Sequence, residues 1–293
     1  MARPISIEAR VTFFCRLKRL LWHVLIVAGG LGVTSCVNAP SPSTRLIDAQ
    51  ELAAQKGWGG RIISAGSFDL LAFHPPVVTT GGRLTIYIEG DGFAWATNSR
   101  PSTDPTPINP VALRLALAQP DGTVAYLARP CQYTMSQGGG CPQRYWTNAR
   151  FAPDVVDAMN GAISTLKDSF GAGELVLVGY SGGAAIAVLV AARRDDVAGL
   201  ITVAGNLDHR AWTTHHRLAP LSGSLNPIDF AGRIETIPQT HFIGQRDRVI
   251  PPSLALQWPE ALSGLGGENI RILDSFDHAC CWARDWPNLT PTF

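Results

Sequence analysis

A serine in a glycine-rich turn is the residue of this sequence best suited to chemistry. Ser181 lies at the centre of the Gly-Tyr-Ser-Gly-Gly motif of residues 179–183, after the apolar run 175–178 and before an Ala-rich run with helical spacing. A turn this sharp leaves no room for side chains two positions before and after the serine, so Gly179 and Gly183 are required there. The turn exposes the hydroxyl, and the N-terminus of the following helix favours negative charge beside it. We therefore expect a site that stabilises an anionic tetrahedral intermediate.

A base and an acid that could activate Ser181 come later in the chain. A serine hydroxyl is a weak nucleophile, which needs a base within hydrogen-bond reach and an acid that orients the base. His278 is the favoured base, since it follows the last predicted strand. Asp247 is the favoured acid, since a predicted strand and Gly244 lead into it. Asp208, which follows the preceding strand, is the alternative acid.

Three further histidines, His209, His215 and His216, lie between the serine strand and the acid strand. They are out of the order expected for the base, and they fit better as the lining of an insertion over the site. The segment 207–230 is the longest stretch without a clear strand or helix pattern, so we interpret it as a candidate lid. The spacing of Asp208 and these histidines matches no metal-ligand motif, and no metal site is predicted.

Two backbone N–H groups would have to stabilise the negative charge that develops during acyl transfer. Gly182, directly after the serine, is expected to supply one of them. The second is expected from the loop that follows the predicted strand 84–88. Asp91 and Gly92 are the candidates there, because glycine permits the close backbone approach that a bound carbonyl demands. A buried Glu89 or Asp91 at this place would need a partner such as an arginine.

Alternating strand and helix patterns would position these residues. Strands are predicted at 68–73, 84–88, 124–128, 175–178, 200–204, 240–243 and 270–273, and helices at 45–56, 111–118, 152–170 and 184–193. This alternation predicts an α/β fold, with a mostly parallel central sheet and helices on both faces. Ligands bind such sheets at the carboxyl ends of the strands. The strands we predict end near Gly, Asp, His or Pro, as residues at that edge should.

The composition fits one well-buried globular protein. The chain has 293 residues, of which 46% are hydrophobic and 16% charged, enough for one large α/β domain or two small ones. The formal net charge is +1, so electrostatics give no argument for nucleic-acid binding. The sequence gives no indication of the oligomeric state.

The order of these residues resembles that of the α/β-hydrolase superfamily. The motif at 179–183, Asp247 after its strand and the late His278 share the superfamily's order of serine, acid and histidine, and the likeness covers roughly residues 60 to 290. The resemblance implies Ser181 as nucleophile, His278 as general base and Asp247 as its orienting acid. The loop departs from the superfamily at Glu89, where a histidine is common, so its donor is inferred from position alone.

The resemblance implies a serine hydrolase that cleaves a carboxylic ester or a related acyl bond through an acyl-enzyme, without a cofactor. The expected substrate is a small acyl compound, and aromatic side chains in the loops could line an apolar pocket for it. The candidates are Trp95, Trp146, Trp212 and Trp282. A peptidase or amidase with the same fold is the first alternative, and a non-catalytic binding protein of the cell envelope is the second.

The N-terminal part of the chain has the pattern of an export signal. A basic stretch precedes the apolar run 20–33, which is too short to span a bilayer comfortably as a permanent helix. The next residues, Val-Thr-Ser-Cys ending at Cys36, resemble a bacterial lipobox, in which the cysteine becomes lipidated. We expect a signal peptide at 1–35, a lipid-anchored N-terminus and tether at 36–58, and a catalytic domain at 59–293.

The residue after Cys36 is Val37, which is not acidic. An acidic residue at this position would resemble an inner-membrane retention signal. Because Val37 is not acidic, the expected location is the outer membrane, facing the periplasm.

The other cysteines considered are Cys131, Cys141, Cys280 and Cys281. Disulfides are expected in an exported chain, and four cysteines allow three connectivities. We favour the local bridge Cys131–Cys141, which leaves Cys280 and Cys281 as a vicinal disulfide or as free thiols. The alternative joins the first two cysteines to the last two. We expect Cys280 and Cys281 to fix the loop that carries His278 rather than to catalyse.

Overall fold

The computed structural model describes residues 39–76, 81–97, 99–135 and 141–289. From Pro40 onward they belong to one compact unit. The expected signal peptide at 1–35 and the expected lipidation site Cys36 lie outside these ranges. Within them, none of the helices has the length and apolar character needed to cross a membrane.

A twisted sheet runs through the described part of the chain, and its eight strands are mostly parallel. The strands are β1 (Gly59–Ala65), β2 (Phe68–His74), β3 (Arg83–Ile88), β4 (Thr123–Leu127), β5 (Glu174–Tyr180), β6 (Val197–Val203), β7 (Gln239–Gly244) and β8 (Ile270–Leu273). Their order across the sheet is β1-β2-β4-β3-β5-β6-β7-β8. The pairs β1–β2 and β2–β4 are antiparallel, and every later pair is parallel. The predicted α/β architecture is confirmed.

Helices cover both faces of this sheet. They are α1 (Pro42–Ala54), α2 (Val111–Ala118), α3 (Pro153–Phe170), α4 (Gly182–Ala191), α5 (His209–His216), α6 (Pro252–Ala255), α7 (Glu260–Ser263) and α8 (Trp282–Leu289). Apolar residues of α3 and α4 pack in one core cluster, and those of α1, α2 and α8 pack in a second. Alternate residues of the central strands point into opposite clusters, as the pleat requires. The carboxyl ends of the parallel strands therefore share one rim between the two layers.

Helix α1 is folded against the domain rather than extended as a tether. Ala49 and Ala53 are buried in the same core cluster as α2, and Arg45 is 5% exposed. The guanidinium of Arg45 donates to the backbone carbonyl of Thr106. Most of the segment 36–58, expected as a tether, is therefore part of the fold, and the boundary expected at residue 59 is too late. The helical spacing from residue 45 onward was the correct signal.

The elements that were not predicted are β1, α5 and the three short helices α6, α7 and α8. Strand β1 lies at the edge of the sheet with one face in solvent, and most of its residues are exposed, so it lacks the apolar run of a buried strand. Helix α5 falls inside the segment 207–230, where no helix pattern was recognised. Its sequence is polar and buries only His209 and Thr213, so it has no apolar stripe to recognise.

The disulfides are local. Cys131 pairs with Cys141, and Cys280 pairs with its neighbour Cys281. This confirms the favoured connectivity and excludes the arrangement that joins the first two cysteines to the last two.

Candidate active site

Ser181 lies at the apex of a tight turn between β5 and α4. Its backbone has φ +51° and ψ −116°, a region that a residue with a side chain rarely adopts. The conformation is held from both sides: the Ser181 N–H donates to Val203 O over 2.9 Å, and the Ser181 carbonyl accepts from Asn206 N over 3.1 Å. The predicted strand–turn–helix arrangement around the serine is present.

The glycines of this turn are required by contact with backbone. A Cβ on Gly179 would lie 2.5 Å from the backbone nitrogen of Ala184, which is far closer than such atoms approach. A Cβ on Gly183 would overlap the carbonyl oxygens of Ile88 and Glu89 at the end of β3. These contacts explain why positions 179 and 183 carry no side chain, as the sequence pattern indicated.

His278 bridges Ser181 and Asp247. Its Nε2 lies 3.0 Å from Ser181 Oγ, and its Nδ1 lies 2.8 Å from Asp247 Oδ2. The other carboxylate oxygen, Asp247 Oδ1, accepts from the backbone N–H groups of Val249 and Ile250 over 2.7 and 2.8 Å. The acid is therefore clamped by its own turn and presents one oxygen to the imidazole. This arrangement favours the tautomer with a proton on Nδ1 and a free Nε2 facing the serine.

The loop that carries His278 is fixed by several contacts. The backbone carbonyl of His278 accepts from the hydroxyl of Tyr180 over 3.0 Å and from the indole of Trp282 over 3.1 Å. Asp277 Oδ1 accepts from the backbone N–H groups of Ala279 and Cys280, over 2.9 and 2.7 Å. These backbone hydrogen bonds lower the pKa of the Asp277 carboxyl. The loop is thus held both by the strand before the nucleophile and by its own turn.

The alternative acid and bases lie elsewhere. Asp208 caps the N-terminus of α5, where its Oδ1 accepts from two backbone N–H groups of that helix and from the side-chain amide of Asn226. Burial lowers the pKa of His209, which packs against the ring of Phe151. His216 contacts the carbonyl of Val249, and His215 packs on His216. In the described ranges, His278 is the histidine that hydrogen-bonds Ser181.

The loop after β3 places Asp91 over the start of α4. A Cβ on Gly182 would lie 2.6 Å from Asp91 Cγ, so the carboxyl group rests directly on this glycine. Gly92 has φ +64°, and a Cβ there would lie 2.9 Å from Gln132 Nε2, which donates to Gly90 O. Along the described chain, the backbone N–H groups of Gly182, Asp91 and Gly92 donate to no acceptor. These three groups are the candidates for stabilising an oxyanion.

Two arginines hold the Asp91 carboxylate. Arg129 Nη1 lies 3.2 Å from Asp91 Oδ1, and Arg150 Nη1 lies 2.5 Å from Asp91 Oδ2. Burial acts to raise the pKa of Asp91, but the charges and hydrogen bonds of Arg150 and Arg129 outweigh it and lower that pKa. The expected arginine partner is therefore present, and it is a pair. Arg129 follows β4 at the same sheet rim, which is the signal that could have identified it.

Glu89 is fully buried beside this loop, with its carboxyl group at the start of α2. It accepts from the backbone N–H groups of Gly90 and Ala112, over 2.9 and 3.3 Å, and from the hydroxyl of Tyr126 over 3.2 Å. Burial raises the pKa of Glu89 to about 7, although these hydrogen bonds act in the opposite direction. Glu89 is thus a buried acid whose carboxyl group accepts from one loop N–H, one N–H at the start of α2 and one hydroxyl.

A cavity of about 400 Å³ opens beside Ser181 and His278. Its wall is largely apolar, with Trp95, Ile108, Trp212 and Val249 among the lining residues. Arg150 also lines it. The expected aromatic lining is thus formed by Trp95 and Trp212.

The other two tryptophans considered for the pocket serve packing. Trp146 is buried and its indole donates to Ser102 O, and Trp282 is buried behind the His278 loop. Trp212, by contrast, donates to Val249 O over 2.8 Å, which places the segment 207–230 against the cavity. No group of three or more His, Cys, Asp or Glu side chains that could hold a metal occurs in the part of the chain described here.

Comparison with known proteins finds likeness in structure only. No model of a protein family matches the sequence, and no curated protein matches it. Among solved structures, an esterase of Pyrococcus furiosus superposes with a TM-score of 0.54 at 12% identity, over 86% of this chain and 94% of that one. Est1E from Butyrivibrio proteoclasticus superposes with a TM-score of 0.53 at 13% identity, over 79% and 95%.

A puromycin hydrolase also superposes, with a TM-score of 0.51 at 16% identity. The match covers 75% of this chain but only 36% of that protein, so the likeness is to one part of it. At these identities the likeness concerns architecture. Together with the mostly parallel eight-stranded sheet, it establishes that this chain has the α/β-hydrolase fold.

Proposed function

We propose that this protein is a serine hydrolase that cleaves a carboxylic ester. The observation that carries the proposal is the continuous set of hydrogen bonds from Ser181 Oγ through His278 to Asp247, at 3.0 and 2.8 Å. A half-buried serine at the N-terminus of α4, with a base and a clamped acid in line, is what activation of a hydroxyl requires. The likeness to an esterase of the same fold is consistent with it.

In the proposed reaction, Ser181 Oγ attacks the ester carbonyl carbon while His278 Nε2 takes the hydroxyl proton. The carbonyl oxygen becomes an oxyanion, and the backbone N–H of Gly182 with that of Asp91 or Gly92 would stabilise it. Protonated His278 then donates its proton to the leaving alkoxide, which departs as the alcohol. Water, deprotonated by His278, attacks the acyl-enzyme, and the acid is released as Ser181 regains its proton.

A peptidase or amidase is the second candidate. The observation in its favour is the likeness of this fold to a puromycin hydrolase. An ester is favoured because the superposed esterase is matched over 94% of its chain and the puromycin hydrolase over only 36% of its own. A panel of matched p-nitrophenyl esters and p-nitroanilides distinguishes the two, since turnover of the anilides at rates comparable with the esters would favour the amidase.

Replacement of the nucleophile tests the proposal. Ser181→Ala is expected to abolish hydrolysis of p-nitrophenyl butyrate and labelling by a fluorophosphonate probe, while the circular dichroism spectrum stays that of the wild type. Ser253→Ala, which changes an exposed serine of α6, is the matched control and is expected to retain both. Full turnover by Ser181→Ala contradicts the proposal. Failure of the folded wild type to label or turn over would favour the non-catalytic binding protein.

We also propose that the protein is anchored to a bacterial outer membrane through a lipid on Cys36, after removal of residues 1–35. The support is the sequence alone: a basic stretch, the apolar run 20–33 and Cys36 in a lipobox-like setting. Metabolic labelling with an alkyne fatty acid is expected to label the wild type and not Cys36→Ala. Equal labelling of the two, or wild type in the soluble fraction, would contradict it.

A further inference from the structure

One guanidinium nitrogen of Arg150 lies at the cavity wall without an acceptor among the described residues. Arg150 Nη1 binds Asp91 Oδ2 over 2.5 Å, and its Nε donates to Thr147 O over 2.7 Å. Its Nη2 donates to no acceptor in the described ranges. The residue is 3% exposed yet lines the cavity that contains Ser181 and His278. This nitrogen is not one of the buried polar atoms that lack a partner, so it is open to the cavity, where an acceptor of a ligand could bind it.

The charges around Asp91 do not balance. Two guanidinium groups, Arg129 and Arg150, face a single carboxylate. Glu89, the next acid, accepts from backbone N–H groups and from Tyr126, and it forms no ion pair with either arginine. The cluster of Arg129, Asp91 and Arg150 therefore has two positive charges and one negative charge, which is a net charge of +1.

The two arginines are not equivalent. Arg129 is buried away from the cavity: it binds Asp91 and the backbone carbonyl of Arg150, and it packs on the ring of Phe151. Arg150 lines the cavity and lies under the indole of Trp212, with its Cζ 6.0 Å from the ring centroid. Arg129 alone could neutralise Asp91 in the interior. Arg150, the second arginine, lies at the cavity wall, where a bound ligand would contact it.

Two exposed arginines line the outer approach to His278. A second cleft adjoins the first at Val249 and His278, and Arg246 and Arg248 line it. Both side chains are exposed, and neither forms an ion pair in the described structure. The acid at this cleft that lies near the surface, Asp277, accepts from two backbone N–H groups. Asp247 and Asp277 formally balance the two arginines, so this cleft adds exposed guanidinium groups rather than a net positive charge.

We infer that the substrate is an ester that carries an anionic group, a carboxylate or a phosphate, and that Arg150 binds this group beside an apolar part held by Trp95 and Trp212. Guanidinium N–H groups bind such oxygens with strong, directional hydrogen bonds. The inference rests on the proposed function for the site of cleavage. It goes beyond that function because it names the charge of the substrate and the residue that binds the charged group.

Matched esters test this inference. The first pair is the p-nitrophenyl monoester of glutaric acid against p-nitrophenyl valerate, which places the charge on the acyl side. The second is 4-acetoxybenzoate against its methyl ester, which places the charge on the leaving side. In at least one pair, the wild type is expected to prefer the anionic ester in kcat/KM by about tenfold or more, as for a hydrogen bond to a charged group.

Variants assign the preference to a residue. Arg150→Gln is expected to lose most of it, about tenfold in the ratio of anionic to neutral kcat/KM. Arg129→Gln is the matched control, since it removes the other partner of the same carboxylate but lies away from the cavity. This variant is expected to lower kcat/KM for the anionic and the neutral ester by the same factor, so that their ratio is unchanged. No preference in either pair, or equal loss of the ratio in both variants, would overturn the inference.

A binding measurement separates this inference from the proposed function. Ser181→Ala is titrated by calorimetry with glutarate monomethyl ester and with the uncharged dimethyl ester, which needs no turnover. Tighter binding of the anion that is lost on adding Arg150→Gln supports the inference even if no ester is hydrolysed. If the wild type labels with a fluorophosphonate and cleaves neutral esters, yet binds both compounds equally, the proposed function stands and this inference fails.

Discussion

The hydroxyl of Tyr180 donates a hydrogen bond to the backbone carbonyl of His278 over 3.0 Å. Tyr180 is the last residue of β5, directly before Ser181, so one side chain links the turn of the nucleophile to the loop of the base. The two rings also pack, with centroids 5.4 Å apart. The spacing between serine and imidazole is therefore set partly by a residue that contacts neither reacting atom, which makes Tyr180 a positioning residue.

Tyr180→Phe is expected to lower kcat by about three- to tenfold with little change in KM. The reason is the loss of one hydrogen bond of about 1 kcal/mol that orients His278, while the ring packing is kept. The indole of Trp282 still donates to the same carbonyl, which limits the effect. Steady-state kinetics on p-nitrophenyl butyrate measure it. An unchanged kcat would show that Trp282 alone fixes the loop.

Asp247→Asn is expected to lower kcat by about a thousand- to ten-thousandfold, because the amide no longer favours the tautomer that leaves Nε2 free. Asp208→Asn is the matched control. Asparagine also caps helices well, so α5 should form and activity should stay within about twofold of the wild type. Steady-state rates of both variants, measured after any initial burst, show which aspartate is the acid that orients His278. A large loss in Asp208→Asn with activity retained in Asp247→Asn would reassign it.

The order of elements and the geometry around Ser181 could be predicted because they depend on local pattern. The strand before Ser181 and the glycines after it are specified within nine residues, and Asp247 follows three residues after the end of β7. The parallel sheet then brings their carboxyl ends together whatever the intervening loops do. Distant residues such as His278 could be placed for this reason.

The residues that the sequence did not reveal act across long separations. Arg129 and Arg150 bind Asp91 across sequence separations of 38 and 59 residues, and no periodic pattern in the sequence indicates such a pairing. Tyr180 contacts His278 at a separation of 98. These contacts depend on how loops cross the rim of the sheet, and loop paths are set by tertiary packing rather than by local sequence.

Gly183→Ala is expected to destabilise the protein severely, by more than about 3 kcal/mol, because the added methyl group would overlap the carbonyl oxygens of Ile88 and Glu89. Backbone at the end of a central strand cannot move aside as a side chain can. Gly232→Ala is the matched control, since nothing lies within 4 Å of its Cβ position. Urea unfolding of both variants measures the difference. Equal midpoints would show that β3 can shift away from the turn.

The buried acid Glu89 is expected to make stability fall as the pH rises. Its pKa is about 7 in the folded protein, against an ordinary 4.5 when the chain is unfolded. Between these values the folded state holds a proton that the unfolded state releases, so the stabilisation is complete below pH 4.5 and is lost as the pH passes 7. The shift corresponds to about 3 kcal/mol at most.

Glu89→Gln tests this, since the amide keeps the shape of the neutral acid and cannot ionise. Urea unfolding of variant and wild type is compared at pH 4.5, 6 and 8. The variant is expected to gain stability relative to the wild type as the pH rises, by up to about 3 kcal/mol at pH 8. Other titrating groups, such as Asp277, are common to both proteins and cancel in the difference. Parallel pH dependences would show that Glu89 is ionised throughout, held by the N–H groups at the start of α2.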